Sequence, residues 1–302
     1  MSEFHQIKSV SEVHQFLGMK APVHPMITII RQWPEVDFDF KNTKLSSDLF
    51  LLSMKGEIKK TTFQYGRNSY DFEEGTLVFM APEQIVSFDD PIEELDDSGW
   101  TILFHPDLIR KSELGKSIKE YAFFSYDVNE ALHLSEKEKQ FLIDLVDKIE
   151  LEINQNMDKH SQDLIIQNLE TILKYSKRYY DRQFYTRTNL NKDFVAQFEH
   201  YLEHYFSSEE LQENGLPSIA ACGEALNMSG PYLSDLLKLE TGRSAKDHIY
   251  SYLIEKAKTA LLSSSQSVSQ IAFKLGFEYP QHFSKLFKVK TGLNPTEFRS
   301  LN

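Results

Sequence analysis

The side chains able to do chemistry are few and widely spaced. His5, His14, His24 and His105 are the only histidines before residue 133, and no His-x-His pair occurs among them. A histidine-built metal centre needs two closely spaced rings, a third ring and a carboxylate facing one point, so no metal is expected. His24 and His105 each precede a proline, which points to chain geometry at strand ends instead. No Gly-x-Ser-x-Gly elbow, phosphate loop or dinucleotide fingerprint occurs, so neither a catalytic set nor a cofactor is expected, and the chain is not expected to be an enzyme. The single cysteine, Cys222, rules out an internal disulfide. It lies in a helical pattern, where a buried structural thiol is preferred to a redox sensor. One cysteine, no apolar run near the roughly 18 residues that span a bilayer, and a polar Met1–Val10 together predict a cytoplasmic protein with no membrane partner.

The chemistry left is non-covalent, and helices must position it. Two segments about fifty residues apart share one plan. In the first, Ser218–Leu226 is a short helix, Asn227-Met228-Ser229 a turn, and Gly230–Glu240 a second helix closed by Thr241-Gly242. In the second, Ser267–Leu275 is the short helix, Gly276-Phe277-Glu278 the turn, and Tyr279–Lys290 the second helix, closed by Thr291-Gly292. Ser229 is a suitable N-cap, and Gly242 and Gly276 suit left-handed backbone. Each unit pairs a small residue (Ala220, Ala272) with a large anchor (Leu233, Phe283), as two closely crossing helices require. Leu236, Leu237, Leu286 and Phe287 read as core, while His282 is open to packing or to contact. A connecting helix, about Ser244–Leu262, carries Ile249, Leu253, Ile254, Ala257, Ala260 and Leu261 on one face. Its nineteen residues span roughly 28 Å, close to the ~34 Å between successive major grooves on one side of B-DNA.

The rest of the chain reads differently. Up to about residue 132, short apolar runs recur at Met26–Ile30, Leu49–Met54, Thr61–Tyr65, Thr76–Met80, Ile85–Phe88 and Trp100–Phe104. Turn residues such as Gly56, Gly66 and Gly75 separate them, which predicts a sandwich or small barrel. Ser9–Leu17 is predicted as a short helix. From 135 to 182 the period turns helical: Ser135 and Glu138 form a capping box ahead of Leu142, Leu145, Val146, Ile149 and Ile153. A second stripe follows at Leu164, Ile165, Asn168, Leu169, Ile172, Leu173 and Tyr175. Packing on its own domain and dimerisation are equally open for this pair. Residues 183–192 lose all periodicity and are expected as a linker. The aromatics Phe63, Tyr65, Phe79, Phe88, Trp100 and Phe104 suit a ligand pocket or a packed core alike.

The C-terminal region, about residues 194–300, resembles the DNA-binding domain of the AraC/XylS family of bacterial transcription regulators. Ile271-Ala272-Phe273-Lys274-Leu275-Gly276-Phe277, Phe283-Ser284-Lys285-Leu286-Phe287-Lys288 and Thr291-Gly292-Leu293-Asn294-Pro295-Thr296-Glu297-Phe298-Arg299 follow the family signature. The resemblance implies an α+β chain in which residues 1–182 form a cupin-like β-barrel with a helical pair. Residues 193–302 then form an all-α double helix-turn-helix domain. It further implies double-stranded DNA, RNA polymerase, a second copy of the chain and a small-molecule effector as partners, the effector's binding residues being unknown. A constitutive DNA binder whose first domain only dimerises is the runner-up. The second helix of each unit becomes a recognition helix by this resemblance. Its contact candidates are Ser229, Gly230, Pro231, Ser234, Asp235 and Lys238 in the first unit. In the second they are Tyr279, Pro280, Gln281, Ser284, Lys285 and Lys288. Gln281 suits adenine and Lys285 guanine, while Lys238 and Lys288 suit phosphates. Asp235 departs from the family's usual basic or amide residue, so it suits cytosine N4 or a neighbouring lysine, and the first unit is expected to be the poorer reader. The net charge of −12 opposes DNA binding, but its distribution does not. Residues 1–190 hold 22 basic against 32 acidic side chains, and 191–214 hold one against six. Residues 215–302, with ten against seven, are the only net-positive part. Phosphate affinity is therefore expected to be modest and salt-dependent.

Overall fold

A computed structural model of the chain describes residues 3–32, 43–55, 63–65, 68–70, 75–88, 99–127, 130–155, 158, 160–186 and 188–301. It divides into two compact units, Met1–Gln183 and Phe184–Asn302.

The first unit is a strand-rich body closed by helices. In chain order it has β1 (Glu3–Ile7), α1 (Val10–Phe16), β2 (Ile27–Ile30), β3 (Thr43–Ser47), β4 (Phe50–Lys55), β5 (Phe63–Tyr65), β6 (Asn68–Tyr70), β7 (Thr76–Met80), β8 (Ile85–Phe88) and β9 (Trp100–Phe104). The helices α2 (Pro106–Ile109) and α3 (Glu113–Ser117), the two-residue strand β10 (Leu132–His133), and helices α4 (Glu136–Asn154) and α5 (Ser161–Thr186) complete it. Two five-stranded sheets result, ordered β1-β3-β8-β5-β6 and β10-β7-β4-β9-β2. Only β1 and β3 pair in parallel among the described strands. Every residue of β9 is buried, as expected for an interior strand of a covered sheet. The hydroxyls of Ser53 and Thr101, paired across β4 and β9, satisfy each other at 2.8 Å.

Four strands escape a search for apolar runs. Thr43–Ser47 has one apolar residue, Leu45, yet backbone pairing to β1 and β8 on both sides holds it in the sheet. β1, β6 and β10 lie at sheet ends, where half the strand faces no neighbour and composition is free to be polar. Thr61, Gly56 and Gly66 lie outside the described residues.

The expected histidine roles are answered by geometry. His14 is buried, its Nδ1 2.5 Å from the Lys20 carbonyl and its Nε2 2.8 Å from the Thr28 hydroxyl, so both ring nitrogens serve the fold. Nδ1 of His24 accepts from the Met26 N–H at 3.1 Å, and Nδ1 of His105 from the Asp107 N–H at 3.2 Å at the start of α2. Among the described residues no cluster of ligating side chains is assembled. Among them, too, no helix is long and apolar enough to cross a membrane.

α4 begins where the Glu138 carboxylate accepts from the Ser135 N–H at 2.9 Å, and it buries Leu142, Leu145, Val146, Ile149 and Ile153. α5 buries Ile165, Leu169, Ile172, Leu173, Ser176, Tyr179 and Tyr180. Leu164, expected on this stripe, is exposed, and the Asn168 amide donates to the Leu164 carbonyl at 2.8 Å. Both stripes are thus covered within one chain. The last turns of α5 grip the segment leading into β10. Gln183 donates to the Ala131 carbonyl at 3.2 Å and accepts from the His133 N–H at 2.8 Å, while the Tyr180 hydroxyl donates to Glu130 O at 3.2 Å. A side-chain amide therefore satisfies the backbone beside a two-residue edge strand.

Of residues 183–192, expected as a linker, 183–186 and 188–192 are helical. α5 runs to Thr186, and α6 (Thr188–Tyr205) takes up the chain from there. An aperiodic pattern signals the lack of a single buried stripe, which does not prevent helix formation. The second unit is all helix: α6, α7 (Glu210–Asn214), α8 (Ile219–Ala225), α9 (Gly230–Thr241), α10 (Ala245–Ser263), α11 (Val268–Lys274), α12 (Pro280–Thr291) and α13 (Pro295–Leu301). Phe198, Leu202 and Tyr205 anchor α6, which packs on α8 and α9. Leu253, Ile254, Ala257 and Leu261 of α10 meet Ile271, Ala272, Phe283 and Phe287 in one cluster.

Candidate nucleic-acid interface

Each short helix is started by a serine. The Ser218 hydroxyl accepts from the Ala221 N–H at 3.1 Å. The Ser267 hydroxyl accepts from the Gln270 N–H at 3.2 Å, and Gln270 returns the bond to the Ser267 N–H at 2.8 Å. Both turns bend through left-handed backbone, at Asn227 (φ 57°) and Gly276 (φ 80°), positions that asparagine and glycine tolerate best. Aligning the units on Ser218 and Ser267 pairs Gly223 with Ala272, not Ala220 with Ala272. Ala220 is in fact exposed, and the close crossing of α8 and α9 falls at Gly223. A Cβ there would sit 2.5 Å from the Met228 carbonyl oxygen.

The second helices match residue for residue at a spacing of fifty. Leu233 and Leu237 are buried in α9 as Phe283 and Phe287 are in α12. Thr241 and Thr291 each bond back to the helix, to Leu237 O at 2.7 Å and Phe287 O at 2.8 Å. Gly242 (φ 73°) and Gly292 (φ 82°) then close the helices with N–H bonds of 2.9 Å to Lys238 and Lys288. Both helices are tied to one turn of α10. The Ser234 hydroxyl accepts from the Ala245 N–H at 3.4 Å, and Lys290 pairs with Asp247 at 3.0 Å. The Ser244 hydroxyl and the Lys290 ammonium together hold the Asp247 carboxyl below its ordinary range.

The expected contact residues divide on exposure. Lys238, Tyr279, Gln281, Lys285 and Lys288 are exposed, and Pro231, Asp235 and Pro280 are half-buried. Ser229 and Gly230, also expected as contacts, are buried. The Ser229 hydroxyl caps α9 by accepting from the Tyr232 N–H at 3.2 Å, and a Cβ on Gly230 would lie 2.9 Å from Ile219 O. They stand four and three residues before Leu233, on the inner side of α9, and the backbone of α8 lies against Gly230. Ser234 serves α10, and the Ser284 hydroxyl donates to Pro280 O at 3.1 Å within its own helix. Their hydroxyls support the scaffold more than an outward face. His282 is exposed with its ring 5.4 Å from that of Tyr279, so it belongs to the outer surface. Sequence reasoning passed over Leu239 and Val289, exposed apolar residues at matching positions of α9 and α12. The fifty-residue spacing would have shown them.

Cys222 is fully buried in α8 within hydrogen-bond reach of Tyr201, and burial pushes its thiol up to about 11. The thiolate is the reactive form. Alkylation is therefore expected to be far slower in the native chain than in the unfolded chain at the same pH. Equal rates in the two would contradict a structural role.

Two short-helix, turn, long-helix units locked to a common helix, with amide and ammonium groups outward on α12, define a domain of the duplex-DNA-binding class. Residues 222–300 match the family model described as "Helix-turn-helix domain". The matched stretch runs from α8 through α13. The chain is 37% identical over 94 residues to the "Uncharacterized transcriptional regulatory protein YesN" of Bacillus subtilis (strain 168), a match covering 30% of this chain and 26% of that protein. It is 30% identical over 142 residues to the "Uncharacterized HTH-type transcriptional regulator YfiF" of the same organism, covering 47% and 41%. It is 25% identical over 134 residues to the "Xylose operon regulatory protein" of Escherichia coli (strain K12), covering 44% and 32%. The chain thus spans less than half the length of each of these relatives.

Proposed function

We propose that this chain is a cytoplasmic, sequence-specific transcription regulator of the AraC/XylS type, laying α9 and α12 in successive major grooves of a promoter. One observation carries the proposal: both helices are tethered to the same turn of α10, through Ser234 and through Lys290, while Gln281, Lys285 and Lys288 stand outward on α12. Rigid presentation of a helix with bidentate-capable groups is what groove reading requires. The ten basic residues after 214 supply the phosphate attraction that the rest of the chain opposes.

The first unit is the cupin-like regulatory part of this reading, its two sheets forming a barrel that takes a small molecule. Support comes from Trp100, whose indole N–H is buried with no acceptor among the described residues. A buried donor of this kind calls for a partner. Phe79 and Phe104 are buried too, while the side chains of Phe63, Tyr65 and Phe88 lie outside what is described. With the stripes of α4 and α5 covered within the chain, self-association uses their outward faces, where Leu151 and Leu164 are exposed. RNA polymerase is the partner through which promoter occupancy changes transcription.

Binding to a panel of single-base variants of a selected duplex tests the core of this proposal. Lys285→Ala and Gln281→Ala are each expected to relax preference at one base pair and to cost about 1–3 kcal/mol on the preferred site. Lys288→Ala is expected to weaken all sequences alike and to lower the salt slope by about one. Unchanged base preference in both of the first two variants would show that α12 does not read the groove.

A further inference from the structure

The fifty-residue repeat runs on past the two threonine–glycine closures and then breaks at one position. Ser244 with Asp247 opens α10, and Asn294 with Glu297 opens α13, through paired bonds of 2.8–3.3 Å. The next residue is Phe298 in the second unit and His248 in the first. Phe298 meets Phe287 edge to face, 5.4 Å between ring centres. His248 is half-buried and meets Phe198 of α6 in the same manner at 6.0 Å. Its Nε2 also lies 2.7 Å from the Thr241 hydroxyl at the end of α9. That hydroxyl donates to the Leu237 carbonyl at 2.7 Å, so Nε2 of His248 is the donor to Thr241 and Nδ1 keeps the lone pair. A ring that can be charged thus joins α6, α9 and α10 where the repeat otherwise has an apolar one.

Among the described residues, the charges facing His248 are Arg243 in the turn before α10, Glu199 on α6 and Asp247 on α10 itself. Asp247 is already engaged by Ser244 and by Lys290 of α12, and Glu199 is exposed. A proton on Nδ1 would set a second positive charge near Arg243 in a place partly cut off from water. Burial first, and then Arg243, hold the ring below its ordinary value of 6.5. The unfolded chain therefore takes up the proton more readily than the folded one. The folded unit is fully favoured above pH 6.5 and loses ground as the pH falls below it. We infer that His248 is a positioning residue that ties the end of α9 to α6 and α10 and makes the first helix-turn-helix unit selectively acid-labile. Phe298 cannot titrate, so mild acid weakens the grip of α9 on DNA before that of α12. This consequence for DNA rests on the proposal that α9 occupies a groove; the acid lability does not.

The test is calorimetry of the full 302-residue chain from about pH 7.5 down to about pH 5, for wild type, His248→Phe and His248→Gln. Phenylalanine copies Phe298, and glutamine keeps a donor for Thr241 without titrating. In wild type the melting transition of the helical unit should move down as the pH falls below 6.5. In both variants that movement should be smaller, so that each gains on wild type in acid. Binding of a selected duplex, followed in parallel, should weaken several-fold more in wild type than in either variant over the same range. His282 and the other histidines are present in all three chains and cancel in the comparison. The same dependence of melting on pH in wild type and in either folded variant overturns the inference, whatever the DNA result. Flattened melting in the variants with no duplex bound by any of the chains supports the acid lability of the first unit and removes the groove proposal.

Discussion

Replacing Gly223 with alanine should lower the stability of the helical unit by about 3 kcal/mol and abolish DNA binding well below the new melting temperature. The added Cβ would sit 2.5 Å from the Met228 carbonyl oxygen, 2.7 Å from the Gly230 nitrogen and 2.9 Å from the Ser229 carbonyl carbon. All three are backbone atoms of the turn and of the first residue of α9, so no rotamer change relieves the contact. Relief requires α8 and α9 to separate, which opens the packing around Leu233 and Leu237 and displaces the outward face of α9. Calorimetry should show the transition of this unit shifted down by roughly 10 °C. Gly242→Ala is the control. Its φ of 73° is strained for alanine, but nothing lies within 4 Å of the added Cβ, so about 1 kcal/mol is expected. Equal melting shifts for the two variants would mean that the α8–α9 crossing is looser than described.

Gly223 also shows where the amino-acid sequence is legible and where it is not. The tandem plan can be read from punctuation, because caps and closures are local: Ser267 with Gln270, Thr241-Gly242 and Thr291-Gly292 each act within a few residues. The crossing point depends on which side of α8 faces α9, and a seven-residue helix does not mark that side by period. Ala220 and Gly223 are both small, and only alignment on the capping serines separates them. Ser229 and Gly230 stand four and three residues before the buried Leu233, so helical period alone already sets them on the inner side of α9. In the first unit, apolar runs found β2, β4, β7 and β9, whose described side chains are mostly driven inward. β3 and β10 are held by backbone pairing and by the Gln183 amide, interactions that leave no trace in side-chain hydrophobicity. The stripe on α4 is legible in the sequence, but what covers it stays open there, since an apolar face looks the same whether its own chain or a second copy covers it.

Phe283→Ala should cost about 3–5 kcal/mol, whereas His282→Ala, one residue away, should stay within about 0.5 kcal/mol of wild type. Phe283 has no exposed surface, and its ring centre lies 5.5 Å from that of Phe277 and 5.7 Å from that of Phe287. It shares a cluster with Leu253, Ile254 and Ala257 of α10, so truncation leaves a void that three helices would have to close. That void also loosens the link between α12 and α10, on which the placement of Gln281 and Lys285 depends. Lys290–Asp247 is a partly exposed pair and cannot hold the helix by itself. Phe283→Ala should therefore lose affinity for all duplex sequences together, with base preference preserved in whatever binding remains. His282 is exposed, and its described ring contact is with Tyr279 at the same surface, so its removal leaves the cluster intact. The pair of variants reports the rotational setting of α12 directly. Were His282→Ala the more damaging of the two, the helix would be turned by about 100° from the setting described, carrying Lys285 off its outward face.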